Sequence, residues 1–478
     1  MSERATAGRP ASALRKALVP FALAQFVCSF AGSSMNVMIN DISVDLGTTV
    51  QGVQVVITIF LLVMAALMIP GGKLTDRYGR KRCLTAGLVV YGVGALLSAV
   101  APGLGVLLIG NSILEGIGTA LLIPPVYILT TLLFTELSSR ARAFGAISAL
   151  GGIGAAAGPL IGGFITSTIS WRAAFLLQVA IVGAIVVLSR RWVHDPLPAD
   201  RSRPFDISGT VLSAVGLVLV VTGILAADNN LWLMLGLLAA GGAVLTWFFV
   251  AARAKERAGR EPLLSTALFR NRTSNLGLIT QNAQWLMLMG TSFVVSAYLQ
   301  VVRGYNAIQT GVIFTATTLG LLLSSLAAER FAKRRAQRTL IVAGFAITIA
   351  GIAALLLLLV TGRPTAWAFA PGLFLIGFGL GGMLTPSVNV VQSSFGEELQ
   401  GEISGLSRCV SNLGSSLGAA LAGTILVAGI TTTPQRAYGL AMVAVAVAGV
   451  VGLVTATLLP GNTTGPATGV PGRNAPAH

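Results

Sequence analysis

The chain has 478 residues, 54% of them apolar and only 10% charged, with a formal net charge of +16. Soluble domains carry about 25% charged residues, so this is the composition of a membrane protein. The basic residues stand in short clusters between apolar segments and form no patch beside aromatics, which argues against a nucleic-acid partner.

A helix that crosses a bilayer needs about 20 mainly apolar residues. On that rule an all-α membrane protein with fourteen spans is expected. Residues 1–16 are a polar segment with no small-residue cleavage site after the next apolar stretch, so that stretch is read as a retained span. It is the first of six spans near 17–40, 51–71, 83–102, 104–133, 142–168 and 171–189. Span 1 carries Asn36 and Asn40. Between spans 2 and 3 lies "GKLTDRYGRKR" (72–82), where Gly72 and Gly79 allow a tight turn and Asp76 stands among Lys73, Arg77, Arg80, Lys81 and Arg82.

Span 4 contains "GNSILEGIGTALLIPP" (110–125), and Glu115 is the carboxylate this reading places well inside a span. A charge there costs about 2.5–3.5 kcal/mol on insertion scales, so such a residue is a functional candidate by default. Asn111, Glu115, Gly118 and Thr119 share a helix face by their i, i+3, i+4 spacing, and that face is expected to line the interior, within reach of water or substrate. A carboxyl that takes up a proton on one side and releases it on the other can couple transport to a proton gradient. Its alternative is a structural Glu paired with another helix, Arg408 or a backbone donor being the nearest choices.

Span 5 holds "GIGAAAGPLIGG" (152–163). Gly154, Gly158, Gly162 and Gly163 give a small-residue face for close helix packing, and Pro159 removes a donor and kinks the helix. After a basic loop at 190–205, two spans lie at 206–227 and 230–252, followed by a second basic loop at 253–274. The last six lie near 275–300, 308–328, 339–361, 366–392, 403–430 and 437–459, and a Gly/Pro/Thr-rich tail at 460–478 reads as disordered. In this part Gln281, Gln284, Trp285, Tyr298 and Asn389 are polar or aromatic candidates for a substrate cavity together with Asn36 and Asn111, and Arg408 is an intramembrane cation.

With the N-terminus inside, nearly all Lys and Arg fall in cytoplasmic loops. Only Arg172, Arg303, Arg363 and Arg436 fall outside, and an even number of spans puts both termini in the cytoplasm. The chain also repeats itself at an offset of about 260 residues: Gly154, Gly158 and Gly163 answer Gly414, Gly418 and Gly423, while Gly116, Gly118 and Pro125 answer Gly377, Gly379 and Pro386. Two parallel six-helix halves (17–189 and 275–459) with an inserted pair (206–252) are expected, and a substrate site near the bilayer midplane between them.

The loop 72–82 resembles the signature loop of the major facilitator superfamily, and 152–163 resembles the motif of its antiporters. Fourteen spans with the extra pair in the middle resemble the EmrB/QacA-like drug–proton antiporter branch, as do "YLQVVRGYNAIQTG" (298–311) and "GEISGLSRCVSNLG" (401–414). The resemblance implies the major facilitator fold, a charge network at 72–82 that latches the outward-open state, and a glycine seam on span 5 that seals one side of the pathway. Two departures stand out: Ala31 and Ser112 occupy positions where that branch carries an acid and an arginine.

The expectation is therefore a multi-pass transporter of a bacterial cytoplasmic membrane. It would exchange protons for amphipathic drugs, antibiotics or a secreted metabolite, with Glu115 and Arg408 as proton-coupling candidates. A lipid or glycolipid flippase on the same scaffold is the rival. Membrane lipid, a small-molecule substrate and protons are the expected partners of a monomer. No P-loop for ATP is present, Cys28, Cys83 and Cys409 read as free thiols, and His194 lacks metal-ligand neighbours, so no cofactor, metal or enzymatic activity is expected.

Overall fold

The computed structural model describes residues 11–134, 136–195, 201, 204–227, 230–332, 336–360, 365–395, 399–429 and 432–461. The first ten residues, the basic residues Lys333, Arg334 and Arg335, Arg363 and the predicted tail beyond 461 lie outside them. Among the described residues there is no strand, and 13 helices are each long and apolar enough to cross a membrane, or 14 with one bent pair counted as one span.

In chain order these are α1 (Leu14–Asp45), α2 (Val50–Tyr78), α3 (Arg80–Ala99), α4 (Leu104–Leu133), α5 (Leu137–Thr168), α6 (Trp171–Trp192), α7 (Ile207–Leu225), α8 (Leu231–Arg257), α9 (Arg272–Val302), α10 (Ala307–Ala332), α11 (Gln337–Val360), α12 (Phe369–Gln392), α13 (Gln400–Gly429) and α14 (Pro434–Thr457). Helix starts carry the side chains that satisfy orphan N–H groups. Thr49 accepts from Gly52, Ser170 from Arg172, Asp206 from Gly209, Asn230 from Trp232 and Leu233, and Asn271 from Ser274. The bent span is α5, which turns by 40° between Ala155 and Ala157. Pro159 explains the place: its missing N–H leaves the carbonyl of Ala155, four residues back, without its helical partner.

Helices α1–α6 pack chiefly on one another, as do α9–α14, and the two sets use the same pairings. α1 lies on α5 and α6, α4 on α2 and α3, and α3 on α6; likewise α9 lies on α13 and α14, α12 on α10 and α11, and α11 on α14. The bundles meet along two seams, α2 with α13 and α5 with α10. The inserted α7 covers the α2–α13 seam through Val221 against Leu62 and Ala420, and α8 packs mainly on α7. Trp232 and Trp247 of α8 are 81% and 64% exposed, as side chains bathed in lipid should be.

The glycine echo is a structural echo. A Cβ on Gly154 would overlap the Phe26 carbonyl of α1, and one on Gly414 the Asn282 carbonyl of α9. Gly163 abuts Ala307 of α10 across one seam, and Gly423 abuts Gln54 of α2 across the other. Gly79 turns the chain between α2 and α3 at φ +96°, a conformation that favours glycine. Gly72 has only an ordinary contact, 3.8 Å from Pro124, and the close approach falls on its neighbour Gly71, against the Ala120 carbonyl.

Candidate functional site

α4 leaves α-helical winding over Leu108–Glu115, where it runs as a π-helix. Such a turn holds one residue more than an α turn and recurs at functional sites. The second bundle shows the same crossing without it. A Cβ on Gly94 of α3 would lie 2.6 Å from the Gly110 carbonyl and 2.8 Å from the Glu115 nitrogen. On Gly351 of α11 it would lie 2.8 Å from the Gly372 carbonyl and 2.9 Å from the Ile376 nitrogen. Between those partners α4 advances five positions and α12, α-helical throughout, four. One bundle thus carries an inserted residue and a carboxylate where the other carries an uninterrupted helix and an isoleucine.

Glu115 is fully buried. Its carboxylate accepts from Ser98 Oγ of α3 at 3.4 Å and from Asn111 Nδ2 at 3.3 Å, with the Tyr91 hydroxyl in reach. Tyr91 in turn donates to Gln178 Oε1 of α6 at 2.5 Å. No ion pair is made by Glu115 among the described residues. Asn111 Oδ1 is buried without a partner among the described residues, so a half-turn of that amide would present an acceptor to a protonated carboxyl. Hydroxyls and amides can serve either protonation state; a fixed Arg or Lys could not.

The polar face of α4 therefore exists but does not meet the space between the bundles. Glu115, with Asn111 bonded to it, points to Ser98 of α3 inside the first bundle, while Ser112 donates to the Val56 carbonyl of α2 at 2.7 Å. Spacing tells which residues share a face, and only packing tells which helix that face meets. From Glu115 a row leads back towards the second bundle: Thr119 Oγ1 donates to the Glu115 carbonyl at 2.8 Å, and Cys28 Sγ of α1 approaches Thr119 Oγ1 at 3.8 Å. Both the Glu115 carboxylate and the Arg408 guanidinium are within electrostatic reach of Cys28.

Arg408 does not pair with Glu115. It crosses between bundles from α13 to lie 4.2 Å from the centroid of the Tyr127 ring of α4. The Tyr127 hydroxyl donates to Gln25 Oε1 of α1 at 3.2 Å, and its ring stacks on Phe144 of α5. Gln25 and Tyr127 were not among the expected site residues. Their signals were a lone Gln in "FALAQFVCSF" and an aromatic just after Pro124 and Pro125.

The bundles are fastened near both faces. On the face carrying the α2–α3 loop, Lys73 Nζ meets Glu402 Oε1 at 2.8 Å across the α2–α13 seam, and Asp76 pairs with Arg80 within its own loop at 3.3 Å. Asp195 accepts from the N–H groups of Arg80 and Lys81, capping α3, and Arg77 lies over the Tyr78 ring. Glu402 also accepts from the Ser265 N–H, which ties the α8–α9 connection to the same seam. On the far face the Asn36 carbonyl of α1 accepts from Ser296 Oγ at 2.5 Å and Gln300 Nε2 at 2.9 Å, both on α9. Gln54 Nε2 donates to Ala419, Ala420 and Thr424 of α13. Gly163 and Pro159 of α5 abut Ala307 and Gly311 of α10.

The remaining expected cavity residues scatter. Gln281 accepts from Ser407 Oγ at 2.8 Å and Gln284 Oε1 is buried without a partner among the described residues, both inside the second bundle. Trp285 is half-buried. Tyr298 lies 4.6 Å from the Tyr438 ring, also within that bundle, and Asn389 is exposed on α12. Gly158 and Gly162 pack on Ser33 and Ser34 of α1, so they hold the first bundle together and leave the seam itself to Gly163.

Residues 21–419 match the sequence model described as Major Facilitator Superfamily. The chain belongs to the Major Facilitator Superfamily. It is 31% identical over 414 residues to the puromycin resistance protein pur8 of Streptomyces alboniger, covering 85% of this chain and 81% of that one. It is 30% identical over 448 residues to the cephamycin export protein CmcT of Amycolatopsis lactamdurans, covering 90% and 89%. Among solved structures, a POT family transporter in complex with a thioalcohol-conjugated peptide superposes with a TM-score of 0.69 at 14% identity, over 92% of this chain and 95% of that one, which speaks to the fold alone. The chain is a membrane transporter of this superfamily, and its similar proteins include named antibiotic exporters.

Proposed function

We propose that the protein is a proton-coupled antiporter of the EmrB/QacA-like branch that exports amphipathic small molecules, antibiotics among them, from a bacterial cytoplasm. On this reading the face with the α2–α3 loop and both termini is cytoplasmic, as its basic clusters favour. The protein acts as a monomer whose two bundles rock about the seams, and the cargo passes between them. Names such as puromycin resistance protein and cephamycin export protein support the cargo class.

The observation that carries proton coupling is the contrast between Glu115 and Ile376. The second bundle builds the same backbone crossing with an isoleucine, so packing does not require a carboxylate at this place. A buried acid held, among the described residues, only by neutral donors, on a π turn, is then retained for its proton. Arg408 on Tyr127 and Lys73 with Glu402 close the cytoplasmic half of the seam and must part for cargo to enter.

The test is cargo-dependent proton release from acid-loaded inside-out vesicles across a panel of antibiotics. Wild type should release protons on addition of exported compounds. Glu115→Gln should insert and melt as wild type does while release falls to the level of empty vesicles; undiminished release would sink the assignment.

A further inference from the structure

At the far face, a cavity of about 350 Å³ opens between the end of α1, the end of α5 and the start of α6. Its wall includes Asn40, Asp41 and Val44 of α1, Thr166 of α5 and Trp171 of α6. Asp41 lies in the last turn of the first span and engages only its own backbone N–H among the described residues. The neighbouring Asp45 is different: it accepts from both Arg172 and the Trp171 Nε1–H. Arg172 is fully engaged, since it also donates to the Ala101 carbonyl at 3.0 Å and lies 4.3 Å from the Trp171 ring centroid. Asp41 is thus left as the uncompensated charge of the cavity.

A second feature lies at the same wall. Thr166 is only 7% exposed, and its hydroxyl is buried with no hydrogen-bond partner among the described residues. A buried hydroxyl without a partner is costly unless something arrives to use it. Asp41 offers the cavity a carboxylate, and the Thr166 hydroxyl lies just beneath its wall. Val44, 74% exposed, offers apolar surface for an attached hydrocarbon. That combination fits a protonated amine, whose N–H groups supply several donors and whose organic part wets the wall. An anion would face Asp41, and a neutral hydrocarbon would leave both polar groups unmet.

We propose that this cavity binds protonated organic amines at the outer face, and that it is the vestibule through which such a cargo leaves. The second clause rests on the export reading above. The position suits it: Asn40 donates its N–H to Gln300 Oε1 of α9 at 3.1 Å, and Ser167, next to Thr166, accepts from Ile308 of α10 at 3.0 Å. The cavity wall is therefore part of the contact that closes this face, and it is joined to the pathway when that contact opens.

The test uses the full chain in nanodiscs with a Val44→Cys thiol at the exposed rim; the three native thiols are buried. Benzylammonium should slow its alkylation at least threefold, while benzyl alcohol and benzoate should not. Asp41→Asn should remove the protection, Asp41→Glu should restore most of it, and Thr166→Val should weaken it. Absence of protection, equal protection by benzyl alcohol, or protection that survives Asp41→Asn would overturn the site. In cells, Asp41→Asn should slow efflux of 9-aminoacridine and spare neutral cargo; equal slowing of both would overturn the vestibule role. If wild type exports no compound while benzylammonium still protects, the export reading fails and the amine site stands.

Discussion

Gly163 is the motif glycine that lies between the bundles, and its replacement by alanine separates a gate from a packing motif. A Cβ at this position would overlap the Ala307 carbonyl and come 3.2 Å from the Ile308 Cα, so backbone must move. Overpacking of this kind costs roughly 1–3 kcal/mol. Because Ala307 belongs to the other bundle, that cost falls on the conformer closed at the far face and on no other. The closed-to-open ratio should then drop about 5- to 150-fold. A Ser296→Cys thiol, fully buried behind the Asn36 contact, reports it through its rate of labelling from the far face by a charged maleimide. Two controls on the same helix fix the interpretation. Gly152 has nothing within 4 Å, so Gly152→Ala should leave labelling unchanged. Gly154 abuts Phe26 of its own bundle, so Gly154→Ala should lower the melting temperature without a matching rise in labelling. If Gly163→Ala labels no faster than Gly152→Ala, the closure is not carried by this contact.

Three further outcomes follow from other contacts. Lys73→Met should destabilise by at most about 1 kcal/mol, since both partners of its ion pair are about a quarter exposed. Glu402→Ala should cost more, because it also strands the Ser265 N–H; a thermal double-mutant cycle measures the difference, and equal losses would show that the α8–α9 tie contributes nothing. At Asp206, burial pushes the carboxyl up, but Lys255, the N–H groups of Gly209 and Leu263 and the Ser208 hydroxyl outweigh it and hold the group below the usual carboxylate range. Its stabilising contribution is present above the unfolded value of about 3.9 and is lost as pH falls through the lower folded value. The melting temperature of wild type should therefore fall more steeply below about pH 4 than that of Asp206→Asn. Parallel slopes would remove Asp206 from the account. Tyr127→Leu should free Arg408 and raise labelling of a Gln25→Cys thiol from the face of the α2–α3 loop, with little effect from the far face; no change in labelling would mean the ring does not hold the gate.

Much of the fold was legible because its information is local. Apolar run lengths marked the membrane-spanning helices, and the spacing of Gly154, Gly158 and Gly163 survived in both copies as three distinct contacts. The site was less legible for a reason visible at Glu115. Its spacing from Asn111 correctly predicted a shared face, yet the helix around it is not α-helical, and an inserted residue changes which neighbour that face meets. Arg408 shows a different limit. A cation two turns into α13 could have met an acid, a carbonyl or water, and nothing local to it names Tyr127, which lies far away in sequence. Asp41 was missed because the first span is longer than its apolar run: a 3₁₀ turn at Met35–Met38 carries it on to Asp45.

The asymmetry between α4 and α12 can be tested as a single structural difference. Tyr91, Ser98 and Glu115 of the first bundle correspond by their contacts to Thr348, Leu355 and Ile376 of the second. If the π turn is an insertion into an otherwise equivalent crossing, removing one residue should convert the first site to the second. Deleting Ile113 together with Glu115→Ile should give an α-helical α4 that inserts and folds, because no buried carboxylate then needs Ser98 or Asn111. The same deletion with Glu115 kept shifts Asn111 from four residues before the acid to three, and it should be the less stable of the two. Neither should release protons with cargo. Thermal melting ranks the pair, and the order carries the argument: were the deletion tolerated better with Glu115 than with isoleucine, the turn would serve packing, and the proton would have to be sought elsewhere.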